Sequence, residues 1–95
     1  MTIAGTGMYV PDRVLTNRDF EQMVDTSDAW IRERTGILER RIAADDQASS
    51  DLAVIAARRA LESAGVTVDE VDQIIVATTT PDRLLPSCAC TVQQN

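Results

Sequence analysis

The sequence predicts an α/β fold, on the strength of one amphipathic helix, one buried strand and the order in which they occur. Leu52, Ile55, Ala56, Ala60 and Ala64 recur at the 3.6-residue period of a helix over residues 50 to 64, with Gly65 at its exit. One side of that helix is small and apolar, suited to lying on a sheet. After a turn at Asp69-Glu70, the run Ile74-Ile75-Val76-Ala77 is apolar without alternation. That is the pattern of a strand covered on both faces, and it places a strand over Gln73 to Thr79. A helix followed by such a strand is half of an α/β unit. Thr78-Thr79-Thr80 then stands at the strand's carboxyl end, where open α/β sheets bind ligands.

The remaining elements follow from local chemistry. Ile3, Met8 and Tyr9 around Gly5 and Gly7 suit a strand over residues 2 to 9 that another backbone approaches closely, ended by Pro11. Gly5-Thr6-Gly7 lacks the third glycine of a dinucleotide loop and reads as a packing feature. Thr16 or Asn17 caps a short helix through Val24, with Asp19 placed to close a capping box on Thr16. Thr26 or Ser27 begins the next helix, Asp28 favours its positive end and Gly36 its exit. One hydroxyl should cap, leaving the other free for a ligand. Ile37 to Ile42 reads as a strand or extended arm, Asp45-Asp46-Gln47 as a polar loop, and Ser49 or Ser50 as the start of the long helix. The tail from Pro86-Ser87 opens like a helix and lacks a clear stop, so the chain reads as cut rather than finished. No boundary, repeat or low-complexity segment divides residues 1–95.

Ninety-five residues with 44% hydrophobic content suffice for one small domain, but Tyr9, Phe20 and Trp30 are the only aromatics, so a marginal monomer is expected. The formal charge of −6 argues against non-specific binding to nucleic acid or anionic membrane. Arg32, Arg34, Arg40 and Arg41 form a local basic cluster able either to attract a phosphate-bearing ligand or to pair with Asp28, Glu33 and Glu39. No stretch reaches the roughly 20 apolar residues of a membrane span, and the start lacks a signal-peptide pattern, so a soluble, cytoplasmic protein is expected. Cys88 and Cys90 are too few for a disulfide scaffold and lack a second ligand pair for zinc; with no histidine, a His-dependent metal or catalytic centre cannot be built from this chain alone. No metal is expected.

Trp30 and Arg34 stand four residues apart, on one face of the short helix. An exposed indole offers a flat surface for a nucleotide base, and a guanidinium one turn away can stack beside it or bind phosphate. The alternative is a half-buried Trp30 and an Arg34 paired with Glu33 or Asp28.

The run Val24-Asp25-Thr26-Ser27-Asp28-Ala29-Trp30-Ile31-Arg32-Glu33-Arg34-Thr35-Gly36-Ile37, with Met8-Tyr9-Val10-Pro11 before it and Ile75 to Thr80 after it, resembles the N-terminal part of β-ketoacyl-acyl-carrier-protein synthase III. The resemblance implies the front of the first half of a thiolase-like α-β-α-β-α fold. It implies a homodimeric acyltransferase that starts bacterial fatty-acid synthesis, taking an acyl group from acyl-CoA, usually acetyl-CoA, onto a cysteine and condensing it with malonyl-acyl carrier protein. Thr26, Trp30 and Arg34 match the family's CoA-binding motif, with CoA as substrate and no further cofactor. The family's catalytic cysteine, histidine and asparagine match nothing in this chain; Cys88 and Cys90 fall in the interface segment ahead of the nucleophile and read as small buried residues. Leu85 matches a position, often aromatic, that reaches into the partner subunit's acyl pocket, so its leucine bears on primer length. A thiolase-like acyltransferase of secondary metabolism and a non-catalytic interaction fragment are the alternatives.

Overall fold

The computed structural model describes residues 1–95, whose contacts fall into two units, Pro11–Asp45 and Met1–Val10 with Asp46–Asn95. In the first unit the elements are β1 (Arg13–Thr16), α1 (Asn17–Glu21), α2 (Asp28–Thr35) and β2 (Glu39–Ile42). β1 and β2 pair antiparallel, with Arg13 opposite Ile42 and Thr16 opposite Glu39. The arm expected at residues 37–42 is thus a strand over Glu39–Ile42. Its partner β1 carries only Val14 and Leu15 as apolar residues and left too short a pattern to read.

Thr16 leads from β1 into α1 through the expected capping box: its hydroxyl accepts from the Asp19 N–H at 3.3 Å, and its own N–H donates to Asp19 Oδ2 at 2.9 Å. The helix stops at Glu21 rather than Val24. Beyond it Met23 and Val24 both donate to the Phe20 carbonyl at 3.0 Å, which turns the chain instead of extending the helix.

The second unit holds α3 (Ser49–Ala64), a 3₁₀ turn (Val68–Glu70) and α4 (Cys88–Gln94). α3 spans the expected residues, but neither serine is its N-cap. That position is Ala48, which has no side-chain acceptor and instead donates its backbone N–H to Asp51 Oδ2 at 2.8 Å. Ser49 Oγ donates to the Thr80 carbonyl at 2.6 Å, and Ser50 gives both its N–H and its hydroxyl to the Asp82 carboxylate, so the loop at residues 80–82 satisfies the first turn of α3.

Residues 2–9 and 73–79 form no strand. A strand is made by hydrogen bonds to a neighbouring strand, and no backbone–backbone bond reaches either segment. The close approach expected at the glycines is present, and the approaching backbone is a helix. A Cβ on Gly5 would lie 2.6 Å from the Ala64 nitrogen, and one on Gly7 would overlap the Ala56 carbonyl oxygen and the Ala60 nitrogen. The alanine face of α3 therefore seats against a glycine backbone. Arg59 fixes the same segment by donating to the Met8 carbonyl at 2.8 Å while lying 5.4 Å from the Tyr9 ring centroid.

Few large apolar side chains are covered. Ile31 and Cys88 are the buried ones, whereas Ile75 is 80% exposed and Leu85 is 85% exposed. Beside α3 and α4 lies an open cleft of about 1070 Å³ whose lining includes Ile3, Val54, Leu61, Val71, Ile75 and Val92. No helix is long and apolar enough to cross a membrane.

Candidate functional site

The site is built on α2. Ser27 is its N-cap, accepting the Trp30 N–H at 3.1 Å, and Gly36 closes it at φ 71°, a left-handed conformation that costs glycine little. Of the two hydroxyls at the entry, Ser27 is consumed by the cap, and Thr26, one residue earlier and half-buried, makes no hydrogen bond within the chain. Ile31 points inward and is 8% exposed, which turns the Trp30 and Arg34 face outward.

Trp30 is 54% exposed, and the Arg34 guanidinium carbon lies 5.6 Å from its ring centroid. Arg34 has no carboxylate partner. Asp28, the acid that opens α2, pairs with Arg32 one turn on at 3.5 Å, and Glu33 forms no ion pair. A cation–π contact occupies only the guanidinium's face, so the N–H fork of Arg34 remains available to a ligand.

The basic cluster read from the sequence is otherwise dispersed. Arg41 approaches Glu39 at 4.0 Å and donates to the Pro11 carbonyl at 3.1 Å. Arg40, on the opposite face of β2, lies 4.3 Å above the centroid of Phe20 and donates through Nη2 to Asn17 Oδ1 at 2.9 Å. Its Nη1 is buried without a partner. Of the four arginines only Arg34 makes neither an ion pair nor a hydrogen bond.

Sequence reasoning missed Asn17. It is 1% exposed, and its Nδ2 donates at 2.8 Å both to Asp28 Oδ1 and to the Ile37 carbonyl. Asp28 opens α2, and its backbone N–H also donates to Glu21 Oε1 at 2.6 Å. The Asn17 hydrogen bond, with the nearby Arg32 charge adding to it, holds the Asp28 carboxyl below its ordinary pKa. The alternation in β2, where Arg40 and Ile42 are the less exposed residues, was the one available signal that Arg40 turns inward.

The other candidates lie in the second unit. Leu85 is exposed, as is its neighbour Leu84. Cys88 is buried at the start of α4, but Cys90 is exposed, which corrects the expectation that both are buried; its Sγ accepts from the Ser87 hydroxyl at 3.3 Å. α4 is a single short helix, and only one face of it can be covered. No group of three or more His, Cys, Asp or Glu side chains comes together to hold a metal ion.

No protein-family model matches the chain. Curated relatives do: β-ketoacyl-[acyl-carrier-protein] synthase III of Xanthomonas campestris pv. campestris (strain 8004) is 63% identical over 91 residues, covering 96% of this chain and 28% of that protein. The protein of the same name from Geobacillus kaustophilus (strain HTA426) is 61% identical over 92 residues, 97% of this chain and 30% of that one. Among solved structures, 3-oxoacyl-[acyl-carrier-protein] synthase III from Aquifex aeolicus VF5 superposes with a TM-score of 0.88 at 52% identity, over 97% of this chain and 30% of that chain. The priming β-ketosynthase of the R1128 polyketide biosynthetic pathway superposes with a TM-score of 0.89 at 37% identity, over 97% of this chain and 28% of that chain. The chain thus spans less than a third of the length of the relatives it matches, and its backbone is that of an α/β, thiolase-like segment.

Proposed function

We propose that this chain, which corresponds in sequence and backbone to the N-terminal part of β-ketoacyl-acyl-carrier-protein synthase III, supplies the adenine end of an acyl-CoA site to a condensing acyltransferase. The observation that carries the reading is the half-exposed Trp30 with Arg34 across its ring and no acid on Arg34. Trp30 stacks on the adenine, a contact type that contributes about 1–3 kcal/mol in single-strand nucleic-acid binders. Arg34 directs its N–H fork to the nucleotide, and Thr26 adds a hydroxyl that no neighbour uses.

In the complete enzyme the reaction is acyl transfer followed by condensation. A cysteine thiolate outside these 95 residues attacks the acyl-CoA thioester, the carbonyl collapses, and the CoA thiolate leaves. Loss of carbon dioxide from malonyl-acyl carrier protein then leaves a carbanion equivalent at its α-carbon, which attacks the acyl-enzyme and expels the cysteine. The role of this chain is to bind and orient: holding the adenine fixes one end of a long flexible substrate and raises the effective concentration of the thioester at the nucleophile. The reading includes acetyl-CoA as the usual donor, no further cofactor, a homodimer of the complete subunit with Leu85 at the partner's acyl pocket, and the cytoplasm as its place of work.

A related acyltransferase of secondary metabolism is the second reading, favoured by the superposition on a priming ketosynthase of a polyketide pathway. Both readings share the CoA site and part at the acyl group. Acetyl-CoA saturation of the complete enzyme with Trp30→Ala and Arg34→Ala tests the common element: each raises KM at least several-fold, and unchanged values in both remove the assignment. Comparing acetyl-CoA with longer acyl-CoA donors in the parent then separates the two readings.

A further inference from the structure

We propose that Asn17 is a positioning residue for the CoA site, acting by holding both ends of the helix that carries Trp30 and Arg34; the inference rests on the reading of those two residues given above. Its one amide bonds to Asp28, the first residue of α2, and to the carbonyl of Ile37, just past the Gly36 that closes α2. An eight-residue helix is too short to be stable or fixed by its own hydrogen bonds, so its direction is set by what grips its ends.

The chemistry of the position admits few alternatives. Asp28 and the Ile37 carbonyl only accept, and Arg40 only donates, so the residue between them must offer two donors and one acceptor within reach. Asparagine does this with a fixed amide orientation. Aspartate would lose both donors and set a second carboxylate against Asp28. Arg40 fixes the amide's oxygen, and Phe20 beneath the guanidinium fixes Arg40. The buried Nη1 of Arg40 is left without a partner, and a guanidinium nitrogen buried with no carboxylate is a poor way to gain stability. That cost fits a network whose use is orientation.

The test compares two thioesters on the complete enzyme: acetyl-CoA, and acetyl-pantetheine, which has the same reacting end and no nucleotide. Asn17→Ala raises KM for acetyl-CoA about tenfold, because a tilt of α2 misplaces the adenine platform, and leaves kcat and the KM for acetyl-pantetheine as in the parent. Asp28→Ala, which cuts the network at its half-exposed end, moves the same parameter in the same direction and decides the matter should Asn17→Ala fail to fold. Trp30→Ala is the reference. If it raises the acetyl-CoA KM while Asn17→Ala and Asp28→Ala do not, the positioning role is overturned and the CoA site stands. If Trp30→Ala leaves that KM unchanged, the CoA reading fails and the inference fails with it. An equal loss on both thioesters in the Asn17 and Asp28 variants also overturns it, since that is the signature of general destabilisation.

Discussion

Asp82 holds Ser50 by two hydrogen bonds, one oxygen accepting the backbone N–H at 2.8 Å and the other accepting the hydroxyl. A carboxylate from a distant loop thereby does for α3 what its own N-cap, Ala48, cannot. The bonds from Ser50 hold the Asp82 carboxyl below its ordinary value of 3.8, and the positive end of the helix dipole favours the same charged form. A folded-state pKa below the unfolded one means that the carboxylate's contribution to stability is present above about pH 4 and lost as the pH falls through the depressed value. Asp19 and Asp28 are lowered as well and act with the same sign. Asp82→Asn in the complete enzyme is expected to unfold at lower urea concentration at pH 7, and the gap from the parent should narrow as the pH is taken below 3.8. A gap that is constant with pH would show that the charge of Asp82 plays no part.

The seat of Gly7 on α3 sets a second expectation. A methyl group there would collide with the Ala56 carbonyl and the Ala60 amide, which are helix backbone and cannot rotate away. Gly7→Ala should therefore destabilise by about 1–3 kcal/mol, the usual range for overpacking, and shift the urea midpoint without changing the slope. Stability equal to the parent's would mean that the segment can lift off α3 freely.

For the two cysteines the chain offers no histidine as a general base, and Cys88 is buried. Acylation of the complete enzyme with labelled acetyl-CoA, followed by peptide mass spectrometry, should leave Cys88 and Cys90 unlabelled. Label on Cys90, the exposed one, would move the nucleophile into this chain.

The elements fixed by local chemistry were legible in the sequence. Thr16 with Asp19, Ser27 with Trp30 and Gly36 after α2 each complete a hydrogen-bonding motif within a few residues, so spacing alone reveals them. The same holds for Trp30 and Arg34, whose meeting needs only helical geometry. What spacing could not reveal are partners distant in the chain. Asn17 meets Arg40 across 23 positions and Ser50 meets Asp82 across 32, and both side chains read locally as helix-start residues. Residues 73–79 failed for the opposite reason. Their apolar pattern is that of a strand, yet a strand exists only where a neighbour hydrogen-bonds to it, and here none does.

On the proposed reading the Trp30 indole is the platform for the adenine of CoA, and indole fluorescence reports such stacking directly. The complete enzyme should be titrated with CoA and with pantetheine, and the Trp30→Phe variant with CoA, following tryptophan emission. CoA should quench the parent saturably, pantetheine should not quench it, and the CoA response should be lost in Trp30→Phe. A CoA response that persists in Trp30→Phe, or equal quenching by pantetheine, would contradict it.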